Sequence, residues 1–314
     1  SCCFTHTRLH TQAVRQQQMR VTSRLSQIVM RVTMFKLIFK NQAGDVRNGW
    51  WIALFFLLLA AAVLPLILIS KQTGQEIEPW QQALAVLGVS IVCQWLRKKP
   101  LAELFGACNA QWLSQLLFGM LFGTLLMVLP ALFLSAIGTL SWQFNGFNQS
   151  MLIGAVILFV GVAVTEELTF RGFMFQRLIA GIGTWPAQLA MAAYFVLTHA
   201  AALKQNGEWN YLAMANIFIA SLMFGLAYLR TESLAMPIGL HLMANFTQGT
   251  ILGFGVSGSE QSGLLTPTFT AELPNWLTGG AFGLEASVPG FITLVLITVG
   301  LYFWQGRKTT SSAS

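Results

Sequence analysis

The chain has 314 residues, of which 55% are hydrophobic and only 9% charged. A soluble domain carries about 25% charged residues, so this chain has too little charge to cover a soluble fold of its size, and a bilayer must supply the missing solvent. The formal net charge of +7 comes from bases beside apolar runs, which points to membrane orientation rather than to nucleic acid as a partner.

Residues 1–33 are basic, rich in Gln, Thr, Ser and Arg, and contain no acid. They read as a disordered N-terminal extension preceding a domain that starts at Met34, where "MFKLIFKNQAGDVRNGWW" has the character of a bacterial start. His6 and His10, in this extension, are assigned no role. Cys2, Cys3, Cys93 and Cys108 show no metal-type spacing, and no disulfide framework is expected.

A spanning helix needs about 20 mainly apolar residues. From Met34 on, such runs predict an all-α, polytopic bundle of about eight spans, at 50–70, 81–96, 112–138, 150–170, 185–203, 210–229, 234–255 and 288–305. The second is short, and the fourth turns charged from Thr165. Trp50, Trp51, Trp80, Trp95, Trp112, Trp142, Trp185, Trp209 and Trp304 fall near the ends of these runs, as interfacial belts do. No strand is expected, and the stretch 256–287, rich in Gly, Ser, Thr and Pro, reads as the longest loop. With both termini cytoplasmic, only Lys71 and Lys204 of the eighteen Lys and Arg fall outside.

An ionisable residue at mid-membrane costs about 2.5–3.5 kcal/mol on insertion scales, so the exceptions inside the runs carry information. Glu166, Glu167 and Arg171 end the fourth span, His199 comes late in the fifth, and His241 and Asn245 lie within the seventh. Glu167 and Arg171 are four apart and can pair on one helix face. Glu166 is turned by about 100° from Glu167 and is left free. Phe195 with His199, and His241 with Asn245, are again four apart. Three spans can therefore direct one carboxylate, two imidazoles and a carboxamide into one interior cavity. Each residue alone also fits a structural part: an orienting ion pair, an interhelical hydrogen bond or, for Phe195, packing.

Three short motifs occur in order. They are Glu166-Glu167-Leu168-Thr169-Phe170-Arg171, then "FVLTH" from Phe195 to His199, then "HLMAN" from His241 to Asn245. Over residues 150–250 the chain resembles the CAAX protease and bacteriocin-processing family (CPBP, also called Abi), related to the CAAX prenyl endopeptidases. The resemblance implies an intramembrane endopeptidase with its catalytic core at about 150–250 of a transmembrane domain covering 34–314. It implies that Glu166 and His199 activate the attacking water, that His241 and Asn245 stabilise the oxyanion, and that Glu167, Arg171 and Phe195 support them. Glu166, His199 and His241 could alternatively hold Zn²⁺ with an open position for water. The His-Glu-x-x-His spacing is absent, and metal-independent activation is the first reading.

The expected substrate is a membrane-associated peptide or protein cut near the cytoplasmic face, and the expected location a bacterial inner membrane. Two other readings use the same residues: a transporter or channel, in which buried Glu, His and Arg form an ion path, and a non-catalytic bacteriocin-immunity scaffold. The first predicts polar residues strung through the membrane depth, and the second predicts that Glu166 is dispensable.

Overall fold

The protein is described here by a computed structural model covering residues 38–204 and 211–306. The extension 1–33 lies outside the described residues. The chain divides into two compact units, 1–51 and 52–314. In the first, a turn at Gly44 (φ +87°) pairs Lys40 with Val46, and Trp50 stacks on Phe39 at 4.7 Å.

Helix α1, Asn48–Thr73, is strongly apolar, yet only 6% of its most apolar 18-residue stretch is buried. Such a surface is stable only against lipid. Helix α2, Pro79–Leu96, starts on a proline at its first position, and the Gln81 side chain accepts from the Glu78 N–H ahead of it at 2.9 Å. The short α3, Ala102–Phe105, leads to α4, Ala110–Ala136, whose first turn is capped by Asn109 accepting from Trp112 N at 3.0 Å.

Strand β1, Leu140–Phe144, pairs antiparallel with β2, Leu265–Phe269, with Leu140 opposite Phe269 and Phe144 opposite Leu265. These strands correct the expectation of none. Both segments do alternate, Leu140-Ser141-Trp142-Gln143-Phe144 and Leu265-Thr266-Pro267-Thr268-Phe269, and Leu140, Trp142, Leu265 and Phe269 pack on the core. Each signal is only five residues long, and Pro267 disguises the second.

Helix α5, Gln149–Glu167, continues through a π turn, Leu168–Gly172, into α6, Phe173–Ile182. The predicted end near residue 170 is therefore too early. The charged run does not break the helix, because Glu167 and Arg171 neutralise each other inside it. Helix α7, Thr184–Thr198, ends at His199, and a single turn, α8, Ala200–Leu203, follows. Helix α9 is Tyr211–Thr231, and α10, Ala235–Asn245, runs into a second π segment, Phe246–Ile251. The supposed long loop holds β2, the turn α11 (Asn275–Thr278) and a 3₁₀ segment, Gly280–Ala286, before the last helix, α12, Val288–Phe303. Arg230 closes α12 by donating to the carbonyls of Leu301, at 3.0 Å, and Tyr302.

All eight apolar runs contain helix, but among the described residues five stretches are long and apolar enough to cross a membrane: 48–73, 102–136, 149–182, 211–231 and 280–303. The others fall short in apolarity, as α2 with its 18 residues does, or in length. The run at 185–203 is interrupted at His199, and α10 has only 11 residues before its π segment. Arg97 and Arg177, placed on the same side by the loop charges, both reach Glu103 at 3.2 Å.

The core sits where α4, α9, α10 and α12 meet, around Met127, Met223, Leu240 and Leu294. Glycines set the tightest approach within it. A Cβ on Gly119 would lie 2.2 Å from Met236 O, one on Gly123 2.2 Å from Leu240 O, and one on Gly239 2.2 Å from Leu116 O. Small residues four apart let membrane helices touch backbone to backbone. They press α10, which carries His241 and Asn245, onto α4.

Candidate active site

The end of α5 supplies two adjacent carboxylates with different environments. Glu167 is fully buried, and Arg171, one turn on, is 1% exposed. Arg171 donates from Nη1 to Glu167 Oε1 at 3.2 Å, and from Nη2 to the carbonyl and hydroxyl of Ser221 on α9, each at 2.9 Å. The rings of Phe195 and Phe224 lie 5.1 and 5.0 Å from the guanidinium carbon. The cation is thus held by hydrogen bonds and by aromatic faces. Breaking a buried pair of this kind leaves an uncompensated charge and costs about 3–5 kcal/mol.

Glu167 also positions His241. Its Oε1 lies 2.8 Å from His241 Nδ1, and the imidazole stacks on Phe224 with ring centres 4.8 Å apart and 17° between the planes. The other ring nitrogen, Nε2, points to Glu166 Oε2 at 3.7 Å. A partner on one nitrogen decides what the other can do; with Nδ1–H given to Glu167, Nε2 is the working atom. Glu166 is not consumed by Arg171. It keeps a quarter of its side chain exposed and opens into a cavity.

His199 stands at the break between α7 and α8. Its Nδ1 lies 2.8 Å from the carbonyl of Phe195, one turn back, and its ring packs on the Phe195 ring at 4.6 Å. This again fixes Nδ1 as the donor and leaves Nε2 without a hydrogen-bond partner among the described residues. Phe195 is a support in the literal sense, lying between His199, Phe170 and Arg171.

Glu166, His199, His241 and Asn245 all line one cavity of about 280 Å³, as does Phe195. Glu167 and Arg171 do not line it and lie behind His241. Most of the remaining wall is apolar, including Leu126, Met127, Phe159 and Leu294. Five polar residues on the wall were not anticipated: Asn216, Ser257, Ser259, Gln261 and Glu285. Asn216 on α9 is 3% exposed, with neither carboxamide atom hydrogen-bonded among the described residues. It is legible in the sequence once every amide within an apolar run is counted. Glu285 enters from the 3₁₀ segment before α12, and only its position just ahead of the last apolar run hinted at it.

The alternative Zn²⁺ site does not fit these positions: among the described residues, no group of three His, Cys, Asp or Glu is placed to hold a metal ion. Glu166, His199 and His241 share the cavity without forming a ligand set.

Residues 148–247 match the family model described as type II CAAX prenyl endopeptidase Rce1-like. The match bears out the family resemblance carried by the three motifs, all of which lie within it. No curated protein matches the chain. The family and the apolar helices together support a peptide hydrolase that is an integral membrane protein acting on a peptide or protein substrate.

Proposed function

We propose that the protein is an intramembrane endopeptidase that hydrolyses a peptide bond of a membrane-associated protein or peptide near the cytoplasmic face of a bacterial inner membrane, with both termini cytoplasmic. The observation that carries this reading is the cavity wall. Glu166, His199, His241 and Asn245 meet on it, while Glu167 and Arg171 brace His241 from behind.

In the proposed reaction a water in the cavity attacks the carbonyl carbon of the scissile bond. Glu166 takes its proton, helped by the free Nε2 of His199. Charge then moves onto the carbonyl oxygen. His241, held as imidazolium between Glu167 and Glu166, donates to that oxygen together with the Asn245 carboxamide. In an apolar cavity such prealigned donors act more strongly than in water. Collapse of the tetrahedral intermediate breaks the C–N bond, and the proton held by Glu166 passes to the departing amine. The polar groups cluster at one cavity rather than marking a path through the membrane depth, which favours hydrolysis over transport.

The test uses purified protein in liposomes with a panel of membrane-anchored peptides, a prenylated one included. Cleavage by the wild type that is abolished in both Glu166→Gln and His199→Ala supports the assignment. Cleavage that survives both substitutions overturns it.

A further inference from the structure

The cavity contains a second carboxylate that none of the three motifs includes. Glu285 Oε1 accepts from the backbone N–H of Ser257 at 2.5 Å and from its hydroxyl at 3.2 Å. Ser257 adopts φ +50°, a region rare for a residue with a side chain, and such conformations persist where surrounding contacts enforce them. Gln248 provides that enforcement. Its amide donates to Gly255 O at 2.7 Å and to Phe282 O at 3.0 Å, and its oxygen accepts from Glu285 N at 3.1 Å. Both the backbone and one oxygen of Glu285 are therefore fixed. Its Oε2 makes no hydrogen bond among the described residues.

Among the described residues two carboxylates, Glu166 and Glu285, and two imidazoles, His199 and His241, line the cavity, and no Lys or Arg does. His241 is engaged by Glu167 and Glu166, and no described Lys, Arg or His lies within ion-pair distance of Glu285, so Glu285 has no counter-charge of its own. A carboxylate withdrawn from water is stable when a cation meets it, and is costly otherwise. The fixed side chain, open oxygen and missing counter-charge describe half of an ion pair.

We propose that Glu285 is a specificity-determining residue that binds a Lys or Arg side chain of the substrate beside the scissile bond. This rests on the endopeptidase reading for its biological meaning, but the binding itself does not need cleavage. A purely structural Glu285 would only hold the Ser257 turn. Glu285→Gln separates the two, because the amide oxygen still accepts from Ser257 while the charge is gone.

The experiment scans a single Lys, against Met, through palmitoylated peptides, with two readouts. The first is kcat/KM in liposomes for the wild type and Glu285→Gln. The second is peptide affinity in nanodiscs for Glu166→Gln and for the double variant Glu166→Gln/Glu285→Gln, which do not turn over. The expected result is a preference for Lys at one position of about tenfold or more, the size of one charge-assisted hydrogen bond. It should appear in KM and affinity rather than in kcat, and vanish with Glu285→Gln. Cleavage with no Lys preference, or a preference that survives Glu285→Gln, overturns the proposal and leaves the endopeptidase reading intact. A Lys preference in affinity without any cleavage by the wild type supports the site and sinks the endopeptidase reading.

Discussion

Substituting Gly123 by Ala adds one carbon behind the cavity wall, at a residue that does not line it, and should still disable it. The new Cβ would stand 2.2 Å from Leu240 O and 2.9 Å from Ala244 N on the facing helix. An unstrained C···O contact is about 3.3 Å, so α4 and α10 must part by roughly 1 Å at a point where the carbonyl belongs to the residue just before His241. A shift of that size along the His241–Glu167 hydrogen bond, now 2.8 Å, carries it out of the range of about 2.7–3.2 Å in which such bonds hold. Misplacing a catalytic group by about 1 Å costs on the order of 100-fold in rate, while overpacking costs about 1–3 kcal/mol in stability. The assay is kcat on a cleavable membrane-anchored peptide in liposomes, alongside thermal unfolding in detergent. Gly88→Ala is the control, because a Cβ there meets nothing within 4 Å. A folded Gly123→Ala protein with wild-type kcat would refute the idea that this backbone approach aims His241.

Three further outcomes follow from the same geometry. Arg171→Met should destabilise by about 3–5 kcal/mol because it removes the guanidinium that neutralises the buried Glu167 and leaves that carboxylate only the His241 imidazole; the double variant with Glu167→Gln should recover much of the unfolding temperature and none of the peptidase activity. Asn216→Leu, which removes two unpartnered buried polar atoms, should leave stability unchanged or raise it by about 1–3 kcal/mol in a detergent melt, and a fall would mean that the carboxamide has a partner in the folded protein. Arg230→Ala removes the donor to the last carbonyls of α12, and hydrogen exchange should speed up at residues 300–303 while amides near the start of α12 keep their protection.

What could be read from the sequence divides along physical lines. The apolar runs revealed the helices, since a chain without water around it has no other way to satisfy its backbone. They did not reveal which helices cross alone, because length depends on local breaks such as the one at His199. The Glu167–Arg171 pair followed from four-residue spacing, and so did the release of Glu166 for the cavity. Two contacts were out of reach. The stacking of His241 on Phe224 joins residues 17 apart in sequence, and the Ser257–Glu285 hydrogen bonds depend on a backbone turn with no apolar periodicity. The Gly119–Gly123 pair was legible in principle, as small residues four apart in an apolar helix. Its partner, Gly239, becomes meaningful only when the two helices are seen together.

Two of the helices that carry the proposed machinery change winding directly after it: α5 at Leu168–Gly172, following Glu166 and Glu167, and α10 at Phe246–Ile251, following His241 and Asn245. A π turn takes in one residue more than an α turn, and that residue swings everything downstream by about 100°. The face a helix turns to the substrate before the bulge is thus uncoupled from the face it turns to its neighbours after it. Deleting one residue from either bulge would leave the helix hydrogen-bonded and apolar while rotating its far half. When related sequences are compared, a single-residue gap inside these membrane helices should be treated as a rewinding event, and residues beyond it matched by the direction they face rather than by their count from the motif.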